Sequence, residues 1–198
     1  RRTRCGRCGA GAAARVFRWG PHFGEEPPIS GTRGAGTIFF SNCTLRCLYC
    51  QNWRWSQEGA GTDFTVDGLV GIMRKLAADG CHNWDLVSPT PWLPFIQEAS
   101  IRYGELDKRL PFVYNSSGFE SLDVLNEYSG LADVALAALR YSTPELARTA
   151  SGSAEYVEAA RAALLWFCAR LGPLETDAEG IASRGVVCRI LVLPGHAG

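Results

Sequence analysis

Three cysteines, Cys43, Cys47 and Cys50, follow one another as Cys-x3-Cys-x2-Cys. Thiolates at that spacing on one loop can converge on a single object a few ångströms across. A closed structural zinc takes four ligands, and a fully ligated iron–sulfur cluster takes four cysteines. Three thiolates leave one iron of a 4Fe–4S cube open, and an open metal position is where chemistry happens. Two plainer readings stand beside this one. The trio could belong to a zinc site completed by a fourth ligand, or the cysteines could be small buried hydrophobes. None of the three histidines, His22, His82 and His196, lies within the loop.

The elements that must position these thiols can be read on either side of them. The apolar run Thr37-Ile38-Phe39-Phe40, ended by Ser41-Asn42, reads as a buried strand opening into the cysteine loop. Residues 14–19 alternate enough for an edge strand, and 21–34 form a Pro/Gly-rich loop with Glu25 and Glu26, either solvated or binding the basic terminus. Beyond the cysteines, Thr65 caps an amphipathic helix with an apolar stripe at Val66, Leu69, Val70, Met73 and Leu76, ended by Gly80. Strands are expected at 84–88, 112–114, 132–139 and 185–193, with helices at 94–103, 121–128, after Thr143-Pro144, and from Ser153 to Leu171. Residues 174–184 read as an acidic loop, and His82 and Trp92 as core or rim.

Apolar strands alternating with helices predict an α/β fold with a parallel sheet. With about five core strands, 198 residues are short of the ~250 that close an eightfold barrel, so the expected architecture is a partial, open (β/α) TIM-like barrel of about five or six parallel strands. Such sheets hold ligands at the carboxyl ends of their strands. Those ends are the cysteine loop, Ser88-Pro89-Thr90, Asn115-Ser116-Ser117-Gly118, Arg140-Tyr141, and Pro194-Gly195-His196, and they should ring one mouth.

Composition narrows the function classes. Twenty basic and twenty acidic side chains cancel, so no global field favours nucleic acid or an anionic membrane. No apolar run approaches the ~18–20 residues that span a bilayer, and the start, RRTRCGRCGAG, lacks the apolar stretch of a signal peptide. Cys5 and Cys8 stand as Cys-x2-Cys, half of a zinc knuckle whose partners would have to lie outside this sequence. Clustered cysteines, with Cys81, Cys168 and Cys188 in apolar surroundings, fit a reducing cytoplasm better than a disulfide scaffold. The only methionine is Met73, and the sequence stops after an apolar strand, so a C-terminal truncation is expected.

The cysteine spacing, with Tyr49 before the last thiol, resembles the radical S-adenosylmethionine (SAM) superfamily. Within it, RCLYCQN (46–52) and the lead-in HFGEEPPISGTRG (22–34) are most similar to the pyruvate formate-lyase activating enzymes and a branch of activating proteins related to them. The resemblance implies an N-terminal extension over 1–35 and a radical SAM core over 36–198. It implies a 4Fe–4S cluster on Cys43, Cys47 and Cys50, with SAM on the remaining iron. Tyr49, Thr90, Asn115, Ser117, Arg140 and His196 would contact SAM, Arg140 standing where the family usually has lysine. Reductive cleavage of SAM would give a 5′-deoxyadenosyl radical that takes hydrogen from a protein glycine or another substrate. The implied partners are a glycyl radical enzyme or other protein substrate and an electron donor such as flavodoxin or ferredoxin. Two departures stand out: Ser88-Pro89-Thr90 replaces the family's Gly-Gly-Glu, and Ala138 occupies the position of an expected acid. The second leaves a cluster-binding scaffold without SAM cleavage as a rival reading.

Overall fold

The computed structural model describes residues 8–105 and 109–195. Strand β1 (Ala14–His22) turns through a lead-in containing the single helical turn α1 (Pro27–Ser30) and returns antiparallel as β2 (Ala35–Phe40). The cysteine loop comes next, with the short helix α2 (Trp53–Ser56) and a brief strand β3 (Thr62–Phe64). Four further units then repeat strand and helix. They are α3 (Val66–Ala78) leading to β4 (Trp84–Val87), α4 (Leu93–Gly104) to β5 (Phe112–Ser116), α5 (Leu122–Glu127) to β6 (Val134–Leu139), and α6 (Pro144–Ser151) with α7 (Tyr156–Leu171). The hairpin of β7 (Glu175–Thr176) and β8 (Ala182–Ile190) completes the sheet.

The sheet runs β3-β1-β2-β4-β5-β6-β8-β7 and is open, with β3 and β7 at distinct ends. Its centre is the predicted set of five parallel strands, β2, β4, β5, β6 and β8. They succeed one another across the sheet in chain order. Because βαβ crossovers are right-handed, this places every crossover helix on the same face. That face carries Ile38, Phe40, Trp84, Leu86, Phe112 and Tyr114, packed against Leu69, Met73 and Leu76 of α3, Ile96 and Tyr103 of α4, and Phe167 of α7. Register puts Thr37, Asp85, Val113, Val134 and Gly185 side by side on the other face. Ile29 of α1 plugs that second face, in one cluster with Val113, Val134, Leu136 and Ala182. The stretch before Gly36 therefore shares a sheet and a core with the strands after it.

Local signals account for most boundaries. The Thr65 hydroxyl accepts the Gly68 N–H at 3.1 Å, and Leu69, Val70, Ile72, Met73 and Leu76 of α3 are buried. Thr143 caps α6 in the same way, with Pro144 in its first turn. Two expectations change. Residues 14–19 are not an edge strand, since β3 pairs outside them, and three residues are too few to show alternation. The acidic loop contains a hairpin: the Asp177 carboxylate accepts the N–H groups of Glu179 and Ile181, both at 2.9 Å, and Gly180 supplies a φ of 78°. That turn starts the last strand at Ala182 and not 185. Among the described residues no helix is long and apolar enough to cross a membrane.

Replacing Thr65 by alanine removes the hydroxyl that satisfies an orphan N–H. The expected cost is about 1 kcal/mol, read as a thermal midpoint lower by about 2–4 °C.

Candidate functional site

β2 ends against three anchors. Ser41 N–H donates to Arg15 O at 2.9 Å, its hydroxyl to Ala60 O at 2.6 Å, and its own carbonyl accepts the buried Trp92 indole N–H at 2.6 Å. The chain then reverses at Asn42, in the left-handed region with φ 69°. Asparagine tolerates that conformation better than most side chains, and its amide is held by Cys8 O at 2.8 Å. The cysteine loop beyond it is tied down by Leu48 N–H on Ala150 O at 2.8 Å and by Gln57 Nε2 on Cys47 O at 2.8 Å.

The three thiols face one apolar cluster. Cys47 belongs to it with Leu45, Tyr141, Ala147, Tyr156 and Val157, and Cys43 and Cys50 pack on its border. All three are free. Each sulfur meets a different hydrogen-bonding group. Leu45 N–H donates to Cys43 Sγ at 3.5 Å, the Tyr141 hydroxyl donates to Cys47 Sγ at 3.6 Å, and Ser56 Oγ lies 3.3 Å from Cys50 Sγ. Burial pushes the Cys43 thiol up, opposed by the Leu45 N–H, the Ser88 hydroxyl and the Arg140 charge.

Among the described residues no three His, Cys, Asp or Glu side chains come together closely enough to share one ion. A mononuclear zinc site needs that convergence.

The other strand ends close around this loop. Arg140, just after β6, is largely enclosed and its Nε has no hydrogen-bond partner. Burial opposes its charge, but Cys47, Tyr156, Tyr49 and Cys43 around it favour the cation, and the balance keeps it charged. A half-buried, charged guanidinium with a buried and unbonded Nε suits a carboxylate. A cavity of about 400 Å³ opens beside Arg140 and Tyr141, walled by Leu139, Leu146, Ile190 and Leu193. Tyr49 stands at the rim with its hydroxyl 2.6 Å from that of Tyr141. Burial is the main reason the Tyr141 phenol is pushed far above its ordinary value.

Thr90 and Ser117 are brought together by a residue that sequence reasoning missed, Glu120. Its buried carboxyl accepts from Ser116 at 2.6 Å, from Thr90 at 3.1 Å and from Ser117 at 3.3 Å. Thr44, between two of the cysteines, lies 3.0 Å from the Ser117 hydroxyl, so the knot reaches the cysteine loop. Burial raises the Glu120 carboxyl, against the pull of those hydroxyls. Gly118 completes the turn at φ 85°, where a Cβ would stand 2.3 Å from Ala138 O. Ser88 also has positive φ, 57°. It and Asn42 are the non-glycine residues with that conformation among the described residues. Both lie near Cys43, one as its chain neighbour and one through its hydroxyl. Such backbone strain persists where surrounding structure enforces it, commonly at functional sites.

Asn115, which the resemblance places beside SAM, bridges neighbouring strands. Its Nδ2 donates to Asp85 Oδ1 at 3.2 Å and its Oδ1 accepts from Arg189 at 3.1 Å, so both ends of the amide serve the inner face of the sheet. Asp85 also accepts from Thr37 at 3.0 Å. Glu25 and Glu26, read as solvated or holding the basic terminus, clasp Arg189 across the sheet instead. His82 is buried and accepts the Arg33 N–H at 3.2 Å. His196 and Cys5 lie outside the described residues.

No family model matches the chain. It is similar to the uncharacterized protein MJ0674 of Methanocaldococcus jannaschii, at 28% identity over 183 residues, covering 88% of this chain and 48% of that protein. The chain thus spans about half the length of the curated relative it matches.

Asp85 provides a test of the inner face. Burial, and next the charge of Glu25, push its carboxyl up to about 7, against the Thr37 and Asn115 hydrogen bonds and Arg189. The folded state therefore binds this proton more tightly than the unfolded chain. Its contribution to stability is full below the unfolded pKa of ~3.9 and is lost as pH rises through about 7. Asp85→Asn removes the titration, so wild-type stability minus that of the variant should fall by roughly 2–4 kcal/mol between pH 4 and pH 8. Urea unfolding at several pH values measures it, and parallel pH curves for the two proteins count against this account.

Proposed function

We propose that the chain is a radical SAM iron–sulfur protein of the activating-enzyme type, with a 4Fe–4S cluster on Cys43, Cys47 and Cys50. The observation that carries this reading is the set of three buried or half-buried free thiols, each with its own hydrogen-bonding group, beside an Arg140 side chain whose buried Nε lacks a partner. One-sided helices and strands laid out in chain order support the matching architecture, a partial (β/α) barrel whose mouth is the carboxyl edge of the sheet. When bound, the cluster and SAM would supply a one-electron cleavage that leads to hydrogen abstraction from a substrate.

The chain's own part is to bind and to orient. Arg140 offers a fork of N–H donors to the carboxylate of the amino-acid moiety. Tyr49 stands on the rim beside Cys50, and the neighbouring cavity is walled mostly by apolar side chains. Glu120 holds the Thr90 and Ser117 hydroxyls in fixed positions around that space. Asn115 would act indirectly, by keeping β4, β5 and β8 in register beneath the mouth. The substrate would be a protein glycine, another peptide or a small molecule. Ala138, without a carboxylate, favours a second reading in which the protein holds a cluster but does not cleave SAM.

Anaerobic reconstitution with iron and sulfide separates these readings. About four irons and four sulfides per chain, with 5′-deoxyadenosine formed after adding SAM and dithionite, is the expected result. Cys47→Ala should lose the iron. Arg140→Ala should keep it but need tenfold or more SAM, the order of effect of losing a charge-assisted hydrogen bond. Cluster without product supports the second reading, and zinc in place of iron overturns both.

A further inference from the structure

The Tyr141 phenol is the most unusual of the groups that meet the three sulfurs. Cys43 is served by the Leu45 N–H and by the Ser88 hydroxyl, and Cys50 by Ser56 six residues on, all small groups. Cys47 is instead met by a side chain 94 residues further along the sequence. Tyr141 is buried, as is Cys47, so water does not compete for this contact. Its ring is fixed edge-on by Tyr156, centroids 5.1 Å apart, and by Tyr49 at 6.4 Å. Phenylalanine would fill that slot as well, so packing alone does not explain the hydroxyl.

The Tyr49 and Tyr141 hydroxyls lie 2.6 Å apart and either can donate; whenever Tyr141 directs its O–H at Cys47 Sγ, Tyr49 is the donor of that pair. A donor that is itself receiving a hydrogen bond is polarised and donates more strongly. The two phenols thus form a short relay from the rim to the sulfur. Hydrogen bonds to cluster sulfurs are among the factors that set a cluster's reduction potential, because they stabilise the more negative, reduced state more than the oxidised one.

We propose that Tyr141, supported by Tyr49, is a positioning residue that raises the reduction potential of the cluster bound at Cys47 by donating its hydroxyl to that sulfur. This rests on the cluster assignment under Proposed function, and the experiment separates the two. Wild type, Tyr141→Phe and Tyr49→Phe are reconstituted anaerobically without SAM. Iron and sulfide are counted, folding is compared by circular dichroism, and the midpoint potential is taken from a redox titration monitored by EPR. The expected result is unchanged iron content, a clearly more negative potential for Tyr141→Phe, and a smaller shift in the same direction for Tyr49→Phe. Equal potentials at full iron content overturn the role of the relay and leave the cluster standing. Absence of iron from the wild type overturns both. If Tyr141→Phe alone loses iron, Tyr49→Phe, which keeps the Tyr141 ring in place, decides, and an unshifted potential there overturns the proposal.

Discussion

Parallel strands deliver their carboxyl ends to one edge, and every feature of the candidate site depends on that constraint. The cysteine loop leaves β2, Ser88 and Thr90 leave β4, Ser117 and Glu120 leave β5, and Arg140 and Tyr141 leave β6. Each is short and close to its strand, so the rigidity of the sheet is passed on to the side chains. The opposite edge receives chain entering the strands and is occupied by α1 and the Arg33–His82 contact. Packing concentrates at that end and polar chemistry at the other, the division expected of βα folds.

Burying so many polar groups costs free energy unless each finds a partner. Two networks meet that condition on the two faces of the sheet. Glu120 takes three hydroxyl donors on the helix side of the mouth. On the inner face, Thr37, Asp85, Asn115, Arg189, Glu25 and Glu26 link β2, β4, β5 and β8 to the lead-in of the chain. The Arg140 Nε departs from this pattern, a buried donor left without a partner. Arg15 Nε and Asn83 Oδ1 are also buried without a hydrogen bond among the described residues, and Arg140 Nε is the one of the three beside the cysteines. The positive φ of Asn42 and Ser88 points to the same spot by an independent measure, backbone strain instead of hydrogen bonding.

Sequence reasoning worked best where the deciding interaction is short-range. A capping hydroxyl acts on an N–H three residues away, which is why Thr65 and Thr143 could be read as helix starts. Apolar alternation between strand and helix was enough to place the five parallel strands. It failed for β3, which is too short to carry a period, and for the 175–184 hairpin, where the Asp177 turn was hidden inside an acidic stretch. Glu120 gave one weak sign, an acid directly behind a Ser-Ser-Gly turn at the end of a strand. Its burial could not be inferred, because a glutamate in that setting is more often solvated.

The amino-acid order by itself determined the cysteine spacing, the helix caps and the alternation that makes a parallel sheet, since all are set within a few residues. Tertiary structure alone decided which distant group each of these meets. Tyr141 reaches Cys47 across 94 residues, and Arg189 reaches Glu26 across 163. Asn115 takes its place in an internal amide bridge for the same reason. Strand order and register choose the neighbours of a side chain, and they arise from the packing of the whole sheet, which no local stretch encodes.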